Sequence, residues 1–417
     1  MKIGYVLLDG CGDRPIPVLN YTTPLDAAYT PNLDRIASRS RLGRVTTVGR
    51  GVAPESDIAV FNMLGYSFEG GYPGRGVVEA VGSGLDLRDG DLALRANLAS
   101  AKGDRIIDRR AGRNLTQEEA ELLARDINRF SLHGASFEFK ATVSYRGVIV
   151  IRGSKPLSAS ISNTDPAYTR VGGMGAAKRT TGLDRVMRCV PESKGDAAVR
   201  AAELVNEFAS KAARALERSE VNRVRVSAGK LPANCVLLRD AGDHLPILPT
   251  FEEKYGMKGT AIVEMPAEVG ISKLLGMRMV QVKDRTDMKE KASVFASELR
   301  DDAVVYLHIK GPDEFGHDGD AKGKKKSIEM IDSDFFSSAP SAWDDVRVGV
   351  SCDHATPCTI KMHSADPVPL LITSDKGEGM RFTEANSKRG TLGHLKGRDV
   401  LGLLVGRTVT QSASSSS

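Results

Sequence analysis

Three apolar runs in this 417-residue chain end in acids. Ile3–Leu8 leads into Asp9-Gly10, Val304–Ile309 into Lys310-Gly311-Pro312-Asp313, and Val346–Ser351 into Cys352-Asp353-His354. Runs of this kind suit strands buried on both faces of a parallel α/β sheet. Open α/β sheets bind their ligands outside the carboxyl ends of the strands. Acidic and imidazole groups recurring at those ends therefore point to one place. His317 follows Asp313 by four residues, and His363 stands in Lys361-Met362-His363-Ser364. Three carboxylates and three imidazoles suit Mn²⁺ or Zn²⁺ better than Ca²⁺, and they lack the thiolates of a structural zinc site. Six donors are too many for one catalytic ion that keeps open positions. Two divalent ions, with about three protein ligands each, divide them sensibly.

Each residue alone has a plainer reading. An Asp at a strand end ordinarily makes a turn or a cap, and a lone His ordinarily packs. The weight comes from their coincidence after apolar strands. Ser56, in Pro54-Glu55-Ser56-Asp57 ahead of the helical pattern Ile58–Leu64, reads by itself as an N-cap. Beside an ion site it becomes a candidate nucleophile, because a metal or a base can activate a serine hydroxyl and a helix N-terminus favours an anion.

The elements that would position these groups fall into two blocks. Asn32–Ser40 reads as a helix and Gly70–Gly84 as a glycine-rich loop. The texture changes near residue 90, with a basic cluster at Lys102, Arg105, Arg109, Arg110 and Arg113. A helix over Thr116–Asn128 opens with a Thr116/Glu119 capping box. Strands fit 137–143 and 147–151, and a long amphipathic helix fits 196–217. Strand–helix alternation resumes at Asn234–Leu238. Helices fit 288–300 and 324–335, and Pro369–Thr373 is one more strand. The expected architecture is an α/β core over 1–89 and 234–411, an inserted α+β domain over 90–233, and a disordered tail at 412–417.

Composition is that of a soluble globular protein, 41% hydrophobic and 27% charged. A net charge of +5 suits an anionic small substrate without calling for nucleic acid. The run Lys322-Gly323-Lys324-Lys325-Lys326 reads as the solvated face of a helix. Five scattered cysteines without a CxxC argue for a reducing cytosol and against disulfides. No apolar run reaches the roughly 20 residues of a membrane span. The N-terminus runs straight into a strand without a targeting signature, so a cytoplasmic location is expected. Cys11, Cys352 and the remaining histidines, His308 among them, read as packing residues. Trp343 reads as lying near a surface loop.

Taken together, the motifs resemble the archaeal-type cofactor-independent phosphoglycerate mutases of the alkaline phosphatase superfamily. The marks run along nearly the whole chain: Leu7-Leu8-Asp9-Gly10, Pro54-Glu55-Ser56-Asp57, Gly74-Arg75-Gly76 with Glu79-Ala80, and Pro232-Ala233-Asn234. They continue with Phe251-Glu252-Glu253-Lys254-Tyr255-Gly256, Gly316-His317-Asp318-Gly319-Asp320, Asp353-His354-Ala355-Thr356-Pro357-Cys358 and His363-Ser364-Ala365-Asp366-Pro367. Glu55 departs from the Pro-Gly-Ser-Asp often found at the nucleophile.

The resemblance implies an alkaline-phosphatase-like core sheet with helices on both faces, and an isomerase that interconverts 3-phosphoglycerate and 2-phosphoglycerate in glycolysis and gluconeogenesis. By its pattern Asp313, His317 and His363 hold one ion, Asp9, Ser56, Asp353 and His354 hold the other, and Ser56 becomes phosphorylated. Mn²⁺ is the expected ion, with Mg²⁺, Co²⁺ and Zn²⁺ as alternatives. Asp165, Arg146 and Lys254 are the implied substrate-binding residues, and the inserted domain would close over the site as a lid. The expected partner is the phosphoglycerate alone, with no nucleic acid and no membrane, and a homo-oligomer is left open. The same ion set would also serve a metal-dependent phosphatase or a mutase of another phosphorylated metabolite.

Overall fold

The computed structural model describes residues 1–68, 71–171, 174–177, 184–301, 303–338, 343 and 345–407. The expected tail at 412–417 lies outside the described residues. The chain is mixed α/β and divides into two compact units. One comprises Met1–Ser67, Leu248–Glu264 and Leu275–Ser417; the other comprises Phe68–Ile247 and Met265–Leu274.

The first unit is built on an eight-stranded sheet. Its strands run in the order Arg278–Gln281, Lys258–Val263, Ala303–Ile309, Lys2–Leu8, Val346–Cys352, Val368–Thr373, Ser40–Thr46 and Gly393–Lys396. The first five are mutually parallel; Val368–Thr373 is antiparallel to both of its neighbours. The three acid-tipped runs are the adjacent strands at its centre. Leu8 pairs with Ile309 on one side and with Cys352 on the other, so the three strands end level with one another. That register brings Asp9, the Lys310–Asp313 turn and Asp353 to a common edge. The strands are buried almost throughout, which is why they read as unbroken apolar runs.

Two expectations about this unit fail for instructive reasons. Lys324, on the helix Ala321–Asp334, is fully buried rather than solvated. Its Nζ donates to Asp13 Oδ2 at 2.9 Å and to the carbonyls of Gly12 and Thr356 at 3.1 and 2.9 Å. A lysine can be buried when a carboxylate and carbonyls satisfy its three protons. Trp343 is 2% exposed and packs among Phe295, Phe335 and Phe336, so it is a core residue.

The second unit carries an antiparallel sheet of Leu92–Lys102, Arg105–Asp108, Ala135–Ala141, Arg146–Gly153 and Cys235–Gly242, and a separate ribbon of Tyr168–Val171 with Met174–Ala177. Its helices include Gln117–Ile127, with the Thr116/Glu119 capping box, and Asp196–Glu217. The unit is wider than 90–233. Cys235–Gly242 pairs with Leu92–Lys102 and so belongs here, not to the first sheet. The segment expected as a loop over 70–84 holds the helix Arg75–Ser83, which buries Val77, Val78 and Ala80. Its glycines serve close packing: a Cβ on Gly76 would strike the Ala93 and Asp240 carbonyls of the sheet, and one on Gly82 the Pro266 carbonyl of the helix Pro266–Leu274, whose own Gly270 lies against the Val78 carbonyl.

Candidate metal centre

All seven expected ion-site residues lie in the first unit, and the structure brings them together. Asp9, Asp353 and His354 follow directly from the central strands. Asp313 and His317 sit four residues apart on the short helix Pro312–Asp318, hence on one face of it. Gly10 lets these segments converge. It adopts φ +58, and a Cβ there would lie 2.5 Å from Asp313 Oδ1 and 2.7 Å from Thr356 Oγ1.

Ser56 is the first residue of the helix Ser56–Met63; Glu55 is the N-cap, and it makes no side-chain cap bond. The capping reading of Ser56 therefore fails. Its Oγ lies 3.0 Å from His354 Nε2.

Among the described residues, three groups of side chains could each hold a cation: Asp313, His317 and His363; Asp9, Asp313 and His354; and Asp9, His308 and Asp353, with the ligand atoms of each group within 4.8 Å of one another. The hydrogen bonds around the rings say which nitrogens offer lone pairs. His317 Nδ1 lies 3.1 Å from the Lys361 carbonyl, and His363 Nδ1 lies 2.8 Å from the Pro54 carbonyl. Carbonyls only accept, so both rings donate from Nδ1 and turn Nε2 toward Asp313, at 3.4 and 3.6 Å. Thr356 Oγ1 gives its proton to Asp313 Oδ1 at 2.6 Å, so at 3.1 Å it accepts from His354 Nδ1. His354 Nε2 then faces Ser56, Asp353 Oδ2 at 3.2 Å and Asp9 Oδ1 at 3.5 Å. Backbone or hydroxyl partners that fix a ring's outer nitrogen and aim the inner one are typical of metal-ligating histidines.

The electrostatics fit cations as well. Burial pushes the Asp9 carboxyl up to about 7; Lys310 opposes the rise, and the Asp353 and Asp313 charges add to it. Asp9 Oδ1 is buried and accepts no hydrogen bond. Burial lowers His354 to about 3 against the pull of Asp353. His363 goes the other way: burial opposes it, yet its contact with Asp313 raises it to about 10. An Asp9 carboxyl that resists ionising, its orphaned oxygen and converging imidazole nitrogens together suit divalent ions of the Mn²⁺ or Zn²⁺ type.

Of the implied substrate-binding residues, only Lys254 is in this unit. It is partly buried, with Nζ 4.8 Å from the Tyr66 ring centroid, and burial lowers its pKa, aided by Arg407. Asp165 and Arg146 belong to the second unit. Asp165 is fully buried and takes Arg109 Nε at 3.0 Å and Nη2 at 2.5 Å, with Arg239 Nη1 at 3.4 Å. Arg146 lies over the Tyr145 ring. Sequence reasoning missed His308, Lys310 and Thr356, all of which touch the acid–imidazole group. A histidine inside a strand buried on both faces is itself the signal for His308, because its ring nitrogens must find partners there.

The fold and the site define an α/β enzyme core with an acid–imidazole cluster at the carboxyl ends of its central strands. A family model described as 2,3-bisphosphoglycerate-independent phosphoglycerate mutase matches residues 37–222. A mutase of that name from Aeropyrum pernix is 42% identical, over 95% of this chain and 97% of the relative. Another from Methanopyrus kandleri is 38% identical, over 97% and 95%. Among solved structures, the cofactor-independent phosphoglycerate mutase of Thermoplasma acidophilum superposes with a TM-score of 0.60 at 33% identity, over 97% of this chain and 99% of that one. A protein of Pyrococcus horikoshii superposes with a TM-score of 0.76 at 29% identity, over 99% of each chain. The chain belongs to the 2,3-bisphosphoglycerate-independent phosphoglycerate mutase family, a family of isomerases. Among the described residues no helix is long and apolar enough to cross a membrane.

Proposed function

We propose that this chain interconverts 3-phosphoglycerate and 2-phosphoglycerate through a phosphoserine at Ser56. Asp313, His317 and His363 would hold one divalent ion, Mn²⁺ by preference, and Asp9, Ser56, Asp353 and His354 the other. The observation that carries the reading is the 3.0 Å approach of Ser56 Oγ to His354 Nε2, within the acid–imidazole cluster and free of capping duty. When bound, such ions lower the pKa of a hydroxyl and spread the charge of a phosphoryl group.

The protein groups have separate tasks. Ser56 Oγ attacks phosphorus in line and keeps the phosphoryl group while glycerate turns. The N-terminus of its helix favours the added negative charge. Thr356 fixes the His354 ring from behind, so that its Nε2 faces both Ser56 Oγ and the place of the ion that the two residues would share. Lys254, with its lowered pKa and its place over Tyr66, is suited to a phosphoryl oxygen. We assign the second unit to binding the glycerate carboxylate and to excluding water, because a phosphoserine exposed to water would make the enzyme a phosphatase. It offers arginines in excess of acids: Arg75 and Arg95 pair with Glu79, Arg95 and Arg239 with Asp240, and Arg109 with Asp165. Burial would raise the Glu79 carboxyl, but Arg95, Arg75, Arg146 and Arg239 outweigh it and hold it below its ordinary value. In this reading Asp165 holds Arg109 and Arg239 in place, and those guanidiniums and Arg146 meet the substrate.

The test is to supply 3-phosphoglycerate to the purified, Mn²⁺-loaded protein and follow 2-phosphoglycerate and free phosphate together. Isomer without phosphate release supports the reading. Phosphate release without isomer would make the chain a phosphatase.

A further inference from the structure

His308 presents its ring to the same acidic pair as His354, with the opposite arrangement of protons. It is 1% exposed on the strand Ala303–Ile309, and its Nε2 lies 3.3 Å from Asp353 Oδ2 and 3.7 Å from Asp9 Oδ1. On the far side of the ring, Nδ1 lies 3.1 Å from Lys310 Nζ. An ammonium has only protons to give, so Nδ1 accepts, and the neutral ring carries its proton on Nε2. That nitrogen has no lone pair to offer an ion. It can only donate, and Asp353 is the nearest acceptor. His317, His354 and His363 are held the other way round: each commits Nδ1–H to an acceptor, so on the neutral ring the lone pair lies on Nε2.

The two carboxylates are immobilised accordingly. Asp353 Oδ1 accepts the backbone N–H groups of Gly10 and His354 at 3.0 and 2.9 Å. Its Oδ2 meets His308 on one side and His354 Nε2 on the other. Asp9 Oδ2 pairs with Lys310 Nζ at 3.1 Å, which leaves Oδ1 turned toward His354. Each acid thus has one side occupied by a protein donor and the other aimed at the space in front of His354.

We propose that His308 and Lys310 are positioning residues for the ion-binding pair Asp9 and Asp353, with Lys310 setting the tautomer of His308 and the two residues each fixing one carboxylate. The proposal rests on the two-ion reading above. It makes His308 a supporting group and not a ligand, although Asp9, His308 and Asp353 together have the geometry of a cation site.

The experiment is Mn²⁺ titration of the ion-stripped full chain, with pulsed EPR of the loaded protein to count imidazole nitrogens on the metal. The wild type should bind two ions through three imidazoles. His308→Leu should bind one ion normally and the other about 10- to 100-fold more weakly. His308→Gln, whose amide can still donate to Asp353, should recover most of that loss with three imidazoles still on the metal. Should His308→Leu fail to fold, Lys310→Met, at the partly exposed end of the pair, should show the same selective weakening. Loss of an imidazole signal in His308→Gln would make His308 a ligand and overturn the proposal. Two ions bound at wild-type affinity in His308→Leu or Lys310→Met would overturn it too. A wild type that binds no Mn²⁺ would overturn the two-ion reading itself.

Discussion

His317 Nε2 and His363 Nε2 stand 3.3 Å apart, and both rings have already committed Nδ1–H to a backbone carbonyl. As neutral rings they would face each other lone pair to lone pair, so a cation belongs between them and Asp313. In the ion-free protein a proton fills that role, which is the meaning of a His363 pKa raised to about 10. A divalent ion must expel it. Below about pH 10 His363 carries that proton, and below about pH 7 Asp9 holds one as well. Ion affinity should therefore rise steadily between pH 6 and pH 9, with protons released on binding. Calorimetry in buffers of different ionisation enthalpy checks this. Affinity independent of pH would contradict it.

Removing single ligands should lower the ion count and leave the fold intact. His317→Ala and Asp353→Asn disturb different ions in the proposed division, so each variant should retain about one of the two ions. Metal analysis after gel filtration measures this. Two ions retained in both variants would mean that the ligands are wrongly assigned.

The buried pair Lys324–Asp13 ties the segment after Asp9 to the segment after His354, through the Gly12 and Thr356 carbonyls. Asp13 also accepts the Cys358 backbone N–H at 3.2 Å. Lys324→Met would leave Asp13 buried and uncompensated, a loss of about 3–5 kcal/mol. Adding Asp13→Asn should restore part of the loss, because the stranded charge is then gone. Denaturant unfolding of the single and double variants tests this; equal stability of the two would contradict it.

The parts of the site that were legible in the sequence belong to strands whose pattern is unambiguous. Asp9, Asp313 and Asp353 could be grouped because parallel strands buried on both faces leave unbroken apolar runs, and ligands gather where such runs end. His308 was legible only as a histidine inside a buried run that must find partners; that those partners are Asp353 and Lys310 shows only in the fold. Lys324 was hidden by the basic residues beside it: a charge run on a helix ordinarily faces water, and only the fold shows that one member turns inward to Asp13. The helix Arg75–Ser83 was masked by glycines that read as loop, although Gly76 and Gly82 allow close backbone contact with the strands Leu92–Lys102 and Cys235–Gly242 and with the helix Pro266–Leu274. Cys235–Gly242 was visible as a strand, yet its sheet was not, since strand pairing depends on partners distant in sequence.

The central claim is that Ser56 carries the phosphoryl group between two hydroxyls of one glycerate. Mass spectrometry of the Mn²⁺-loaded protein, quenched during turnover of 3-phosphoglycerate, tests it most directly, with Ser56→Ala alongside. Phosphate should be found on the peptide containing Ser56, and Ser56→Ala should make no 2-phosphoglycerate while keeping nearly normal metal content. Substantial turnover by Ser56→Ala, or phosphate trapped on a different residue, would contradict the account.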